Sequence, residues 1–210
     1  MQHNSYRRWI TLAIISFSGG VSFDLAYLRY IYQIPMAKFM GFSNTEIGLI
    51  MSTFGIAAII LYAPSGVIAD KFSHRKMITS AMIITGLLGL IMATYPPLWV
   101  MLCIQVAFAI TTILMLWSVS IKAASLLGDH SEQGKIMGTT VGICSVIGFL
   151  PDVFVYPIIG YWQDTLPAAE AYRNMWLMGM AALGMVIIFT FLLFQKIRTA
   201  DSAPAMASSK

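Results

Sequence analysis

The sequence predicts an all-α, polytopic integral-membrane bundle of about six transmembrane helices. Three observations carry that expectation. Of the 210 residues, 58% are hydrophobic and only 10% charged, with a mean hydropathy of +0.77; soluble domains hold roughly 45–50% apolar and about 25% charged residues. The apolar residues fall in long runs, and about 20 such residues cross a bilayer as a helix. Lys and Arg collect in connections on one side of those runs, as the cytoplasmic loops of membrane proteins do.

The first run covers about Trp9–Gln33. Arg7 and Arg8 precede it in the manner of a secretory leader. The run is longer than a leader's, however, holds Asp24 and Arg29, and lacks a small-residue cleavage site, so it reads as a retained first span. The second and third runs, about Glu46–Ala69 and Met77–Tyr95, are separated by the charged stretch Gly66–Lys76, GVIADKFSHRK. Tyr95-Pro96-Pro97 forms a helix-breaking turn before the fourth run, Leu98–Ile121. The fifth covers Ile136–Gly160, and a polar connection, Trp162 to Arg173 with Pro167, leads to the sixth, Met175–Phe194. The small, polar tail after Arg198 is expected to be disordered.

With the N-terminus in the cytoplasm, one side gathers Arg7, Arg8, Lys71, Arg75, Lys76, Lys122, Lys135, Lys196, Arg198 and Lys210. The other side receives Lys38 and Arg173, and Arg29 lies within a span. That asymmetry predicts both termini inside, a parity that six spans satisfy. The net charge of +4 is therefore topological. Lys and Arg form no stripe with interleaved aromatics, which argues against nucleic acid. Cys103 and Cys144 both sit in apolar runs, so no disulfide framework is expected. His3, His74 and His130 have no Cys or His at ligand spacing, so no metal site is expected. No nucleophile–base pair or glycine-rich phosphate loop is present, so neither an enzyme nor a cofactor is expected.

The order Gly66-x3-Asp70-Lys71-x3-Arg75-Lys76 between a second and a third span resembles the signature loop of the major facilitator superfamily. Physically, Gly66 would admit a neighbouring helix, Asp70 at a helix end could pair with a base or with a helix N-terminus, and Arg75 and Lys76 would stay at the interface. The resemblance implies that this loop gates the transport cycle by latching helices in one state. Ser73 stands where the family pattern has Gly, which predicts a less tight turn. Gly41-Phe42-Ser43 with Glu46-Ile47-Gly48, and Trp117-x4-Lys122-x11-Gly134, are similar to the organophosphate:phosphate antiporter branch at the start of span two and the end of span four. That branch carries a substrate-binding basic residue on span one, a residue or two from the position of Arg29, and a basic residue at the position of Lys122. The resemblance implies a secondary carrier of small organic anions in a bacterial inner membrane, working by alternating access.

Ionisable groups within spans are expensive and mark functional sites by default. Asp24 lies roughly 14 Å inside the outer end of span one at 1.5 Å per residue. It and Arg29 are five positions apart, outside the neighbourhood in which side chains of one helix meet, so each must look to another helix, to solute or to water. Asp24, Arg29 and Lys122 are the expected substrate-path residues, with snorkelling and structural pairing the competing readings. Asp152 follows Pro151, which frees a backbone carbonyl one turn earlier, a kink that either gates or merely breaks span five.

A facilitator-type carrier has two six-span halves around a midplane site, and this chain carries one half's worth of spans. Its last third, from Gly138 through Pro151, Asp152, Pro157 and Gly160, resembles a penultimate span followed by a natural C-terminus. The expected organisation is thus a partial facilitator fold: residues 1–138 as the first four spans with the signature loop between spans two and three, 139–198 as the last two spans, and 199–210 as a disordered cytoplasmic tail. The seam expected at Gln133–Gly138 suggests an internal deletion. Two functions follow: a transporter of a sugar phosphate or carboxylate, whose missing wall a homodimer would supply, or a deleted, non-transporting remnant or membrane interaction protein.

Overall fold

The computed structural model describes residues 2–27, 33–34, 36–37, 40–92, 94–165, 167 and 170. The outer end of span one with Arg29, the sixth expected span and the tail lie outside the described residues. What is described is helical, and no strand occurs among these residues.

In chain order the elements are α1 (Gln2–Ala26), α2 (Asn44–Lys71), α3 (His74–Met92), α4 (Leu98–Ala109), a π-helical stretch (Ile110–Trp117), α5 (Ser118–Ser125), a 3₁₀ turn (His130–Glu132) and α6 (Gln133–Thr165). Arg8–Ala26, Asn44–Lys71 and Leu98–Ser125 are each long and apolar enough to cross a membrane, and Lys76–Met92 is a shorter apolar helix. The fifth expected span corresponds to α6, which runs without a break through Gly138, where the two parts of the chain were expected to join.

The start of α2 explains why its sequence is so distinctive. Gly41 takes φ +68°, in the left-handed region open to glycine at little cost. Ser43 then caps the helix: its hydroxyl accepts from the Glu46 N–H at 3.3 Å, while the Glu46 carboxylate accepts from the Ser43 N–H at 2.7 Å. This reciprocal box satisfies two of the N–H groups that a helix start leaves free. At the other end, Phe72 leaves the helix in an extended conformation (φ −108°, ψ 155°). Only Phe72 and Ser73 separate α2 from α3, and neither takes a positive φ. The turn is therefore tight without the family's glycine, which corrects the expectation of a looser one. Tyr95, at φ 56°, forms the turn before Pro97, and Pro97 begins α4.

The continuous rod from Leu98 to Ser125 is the centre of the bundle. α2 and α3 both pack on it, and α1 lies beside it and carries α6 along its other face. Leu25, Ile50, Phe54, Ile78, Met82, Met101, Phe108 and Leu116 fill the shared interior. A second, smaller cluster of Leu12, Ala124 and Ile136 closes the N-terminal half of α1.

α1 and α6 approach most closely at glycines. A Cβ on Gly20 would come within 2.8 Å of the Cys144 carbonyl oxygen and 2.9 Å of Ile147 Cβ. The Cys144 thiol donates to the Ser16 carbonyl at 3.0 Å, so the contact is hydrogen-bonded as well as close. Small residues that let helix backbones meet are the usual means of helix association in lipid.

Candidate functional site

The signature stretch assembles at one end of the bundle, where α2 passes into α3. Asp70 and Lys71 form the last turn of α2, and Arg75 and Lys76 the first turn of α3. α2 and the rod run parallel there, and two polar contacts join them. Ser118 Oγ and Ser65 Oγ are 2.6 Å apart, and about one turn further along both helices Lys122 Nζ donates to Asp70 Oδ1. Lys122 is about one-third exposed and Asp70 about two-thirds exposed, at 34% and 65%. The acid of the loop thus holds the base expected on the substrate path.

A π-helical stretch precedes this contact in the rod. A π turn accommodates one extra residue, which rotates everything after it by about 100° relative to an uninterrupted α-helix. Lys122 lies five residues beyond the stretch. Thr111 and Thr112 lie inside it, buried, and donate their hydroxyls to the Phe108 carbonyl at 3.2 and 2.6 Å. Such stretches occur frequently at functional sites.

Asp24 lies elsewhere on the bundle. It is half-buried on α1, and its Oδ1 stands 3.2 Å from where a Cβ on Gly148 of α6 would be. Gly148 therefore makes the room that Asp24 occupies, and the helix to which Asp24 looks is α6. Phe23 packs edge-on to Trp117 with ring centroids 5.6 Å apart. That places Asp24 near the level of Trp117, roughly 7–8 Å along the axis from Lys122 at 1.5 Å per residue.

The structure brings Asp70 and Lys122 together and keeps Asp24 apart from them. Arg29 lies outside the described residues, and Pro151 and Asp152 are placed only as members of α6. Gly66 is exposed and has nothing within 4 Å of a Cβ built on it. The close helix approach expected there is absent among the described residues. No group of His, Cys, Asp and Glu among the described residues could hold a metal ion.

Sequence reasoning missed four features of the molecule. The Ser65–Ser118 contact and the Arg8–Glu132 ion pair, 2.8 Å long, join residues 53 and 124 positions apart, and no local pattern announces either. Trp9 lies between two cations, Arg8 at 5.4 Å and Lys135 at 5.3 Å from its ring centroid. The π stretch carries only the weak signal of two adjacent threonines inside an otherwise apolar helix.

Comparison with known proteins places this architecture. Residues 10–139 match the family model of the Major Facilitator Superfamily. Inner membrane protein YqcE of Escherichia coli (strain K12) is 48% identical over 425 positions that take in 100% of this chain and 100% of that protein. Since this chain has 210 residues, about half of those positions face no residue of it. Forty-eight per cent of 425 is about 204, so nearly every residue that this chain does supply is matched by an identical one. Inner membrane protein YihN of E. coli is 27% identical over 207 residues, 97% of this chain but 47% of that protein. YwtG of Bacillus subtilis (strain 168), whose name describes metabolite transport, is 26% identical over 164 residues, 76% of this chain and 32% of that protein. The chain thus spans less than half the length of YihN and of YwtG. No solved structure gives a significant match.

Proposed function

Because the chain belongs to the major facilitator superfamily, we propose that it moves a small organic anion, a sugar phosphate or a carboxylate, across the bacterial inner membrane by alternating access. The family is one of transporters rather than enzymes, the name of YwtG describes metabolite transport, YqcE and YihN are named as inner membrane proteins, and the apolar helices suit that membrane. The solute class and the cycle are this proposal's own.

The observation that carries it is the pair Asp70–Lys122. An anion reaching Lys122 competes with Asp70 for the same ammonium. Asp70 is mostly exposed, so water solvates it when it is displaced, and the exchange leaves no buried charge unpaired. Losing Lys122 unties α2 from the rod at the signature loop, the place where the family's latch is expected. Arg29 supplies the second positive group, as a planar fork suited to phosphate or carboxylate oxygens. Asp24, against Gly148, couples occupancy of the path to the α1–α6 contact. Both termini face the cytoplasm.

The test is uptake into proteoliposomes from a panel of phosphorylated and carboxylated solutes, wild type beside Lys122→Ala and Arg29→Ala. Uptake of one solute class by the wild type, lost in both variants, is the expected result. Uptake unaltered by either substitution removes the proposal.

A second reading has its own support. Roughly half of the 425 positions aligned with YqcE have no counterpart in this chain. That pattern favours an internally deleted, non-transporting remnant. Silence across the whole panel by a correctly inserted protein selects it.

A further inference from the structure

α2 is the barest of the three candidate spans among the described residues. Only 22% of its apolar window is buried, against 56% for α1 and 44% for the central rod. It packs on the rod and on no other described helix to a comparable extent. Its outer face carries an exposed series at alternating steps of four and three: Ser52, Ile56, Ile59, Ala63, Gly66 and Asp70. Ile56 and Ile59 are 62% and 75% exposed, and the space over Gly66 is open. A seven-residue repeat of large and small side chains is the seam along which two helices interlock, knobs into holes. Lipid alone would not select small residues on this face, whereas helix pairing does.

We infer that this face of α2 binds a second copy of the same chain, in a parallel dimer about an axis along the membrane normal. The inference rests on the transport reading for its purpose, because the dimer supplies the wall that a one-half carrier lacks. Three observations select that occupant. The relative that matches nearly every residue of this chain extends over about twice as many positions, so a chain-sized partner is what this bundle is short of. The halves of facilitator carriers are parallel repeats related by an axis along the membrane normal, and a second copy reproduces that relation without new sequence. The sixth span expected from the sequence, residues 175–194, comes after α6 in the chain, and α6 packs on α1 rather than on α2. The two Asp70 carboxylates fall at the end of such a seam, where each is about two-thirds exposed in the single copy, so water and salt screen them from each other when Lys122 turns to solute.

The test uses cysteine crosslinking in native membranes. In a background with Cys103→Ser and Cys144→Ser, single cysteines replace Ile56, Ile59 or, as a control on α3, Leu87, which is itself exposed. Oxidation is expected to shift the Ile56→Cys and Ile59→Cys proteins to a dimer band and to leave Leu87→Cys monomeric. Adding Ala63→Leu, which fills a hole of the seam at a site exposed in the monomer, is expected to abolish the dimer band. Equal crosslinking at all three positions, or none, overturns the inference. So does protection of Ile59→Cys from a membrane-permeant maleimide without dimer formation, which would assign the cover to residues 175–194. A specific dimer that transports nothing supports the inference and removes the transport proposal, whereas a monomer active in uptake does the reverse.

Discussion

The Cβ that glycine lacks separates two kinds of glycine in this chain. At Gly20 an added methyl meets backbone, the Cys144 carbonyl, which cannot swing away. Gly20→Val therefore forces α1 and α6 apart and is expected to cost about 1–3 kcal/mol, the range of overpacked sites. At Gly66 the space is open, so Gly66→Ala is expected to hold or raise thermal stability, by at most about 1 kcal/mol of helix preference. Thermal unfolding in detergent, followed by tryptophan fluorescence, checks both. The same measurement on Asp70→Asn and Lys122→Ala is expected to move stability by less than about 1 kcal/mol each, because the pair is partly exposed. Its importance is in the transport cycle, so these variants should alter uptake far more than unfolding. The pairing was half legible: the motif identified Asp70 and the branch resemblance identified Lys122, but nothing in their spacing said that they touch.

Among the helices, α2 and the rod illustrate what a sequence conveys and what it withholds. The Gly41–Glu46 string was recognisable as a family feature, and the capping box gives the physical reason for it. Ser43→Ala removes one half of the box and is expected to lower Tm by about 2–4 °C. The π-helical turn in the rod was not legible, because hydropathy is blind to a change from one helical hydrogen-bond register to another. Its role is open to experiment. Cysteines at Asp70 and Lys122 are expected to be joined by a short bifunctional maleimide, which replaces the reach of the lysine, in the intact rod, since the native side chains meet. Deleting one residue of Ile110–Trp117, such as Leu114, restores the α register and rotates residue 122 away by about 100°. The crosslink should then disappear while the protein still inserts; a crosslink that survives the deletion would deny the π turn this part.

For the molecule as a whole, composition alone was enough to predict a membrane bundle, since no soluble core accommodates this much apolar surface in a chain of 23.2 kDa. The way the helices combine was less accessible. That α6 would lie along α1, with glycine against a backbone carbonyl, depends on residues well over a hundred positions apart. Reporter fusions within residues 71–76 are expected to be cytoplasmic, and a fusion between Met92 and Leu98 external; reversed signals would invert the bundle. The Arg8–Glu132 bridge and the Ser16–Cys144 contact also set a timetable for biogenesis. The first helix to leave the ribosome finds its main companion only when the last described one emerges. At the usual pace of synthesis, about 5–20 residues per second, a separation of 124 residues amounts to roughly 6–25 s of waiting. Through that interval the polar Asp24 side chain stands in the bilayer without the helix that later covers it, a window in which quality-control proteases can act. Nascent chains arrested before residue 133 should be degraded faster than chains arrested after 165, and the difference should vanish when Asp24 is replaced by leucine.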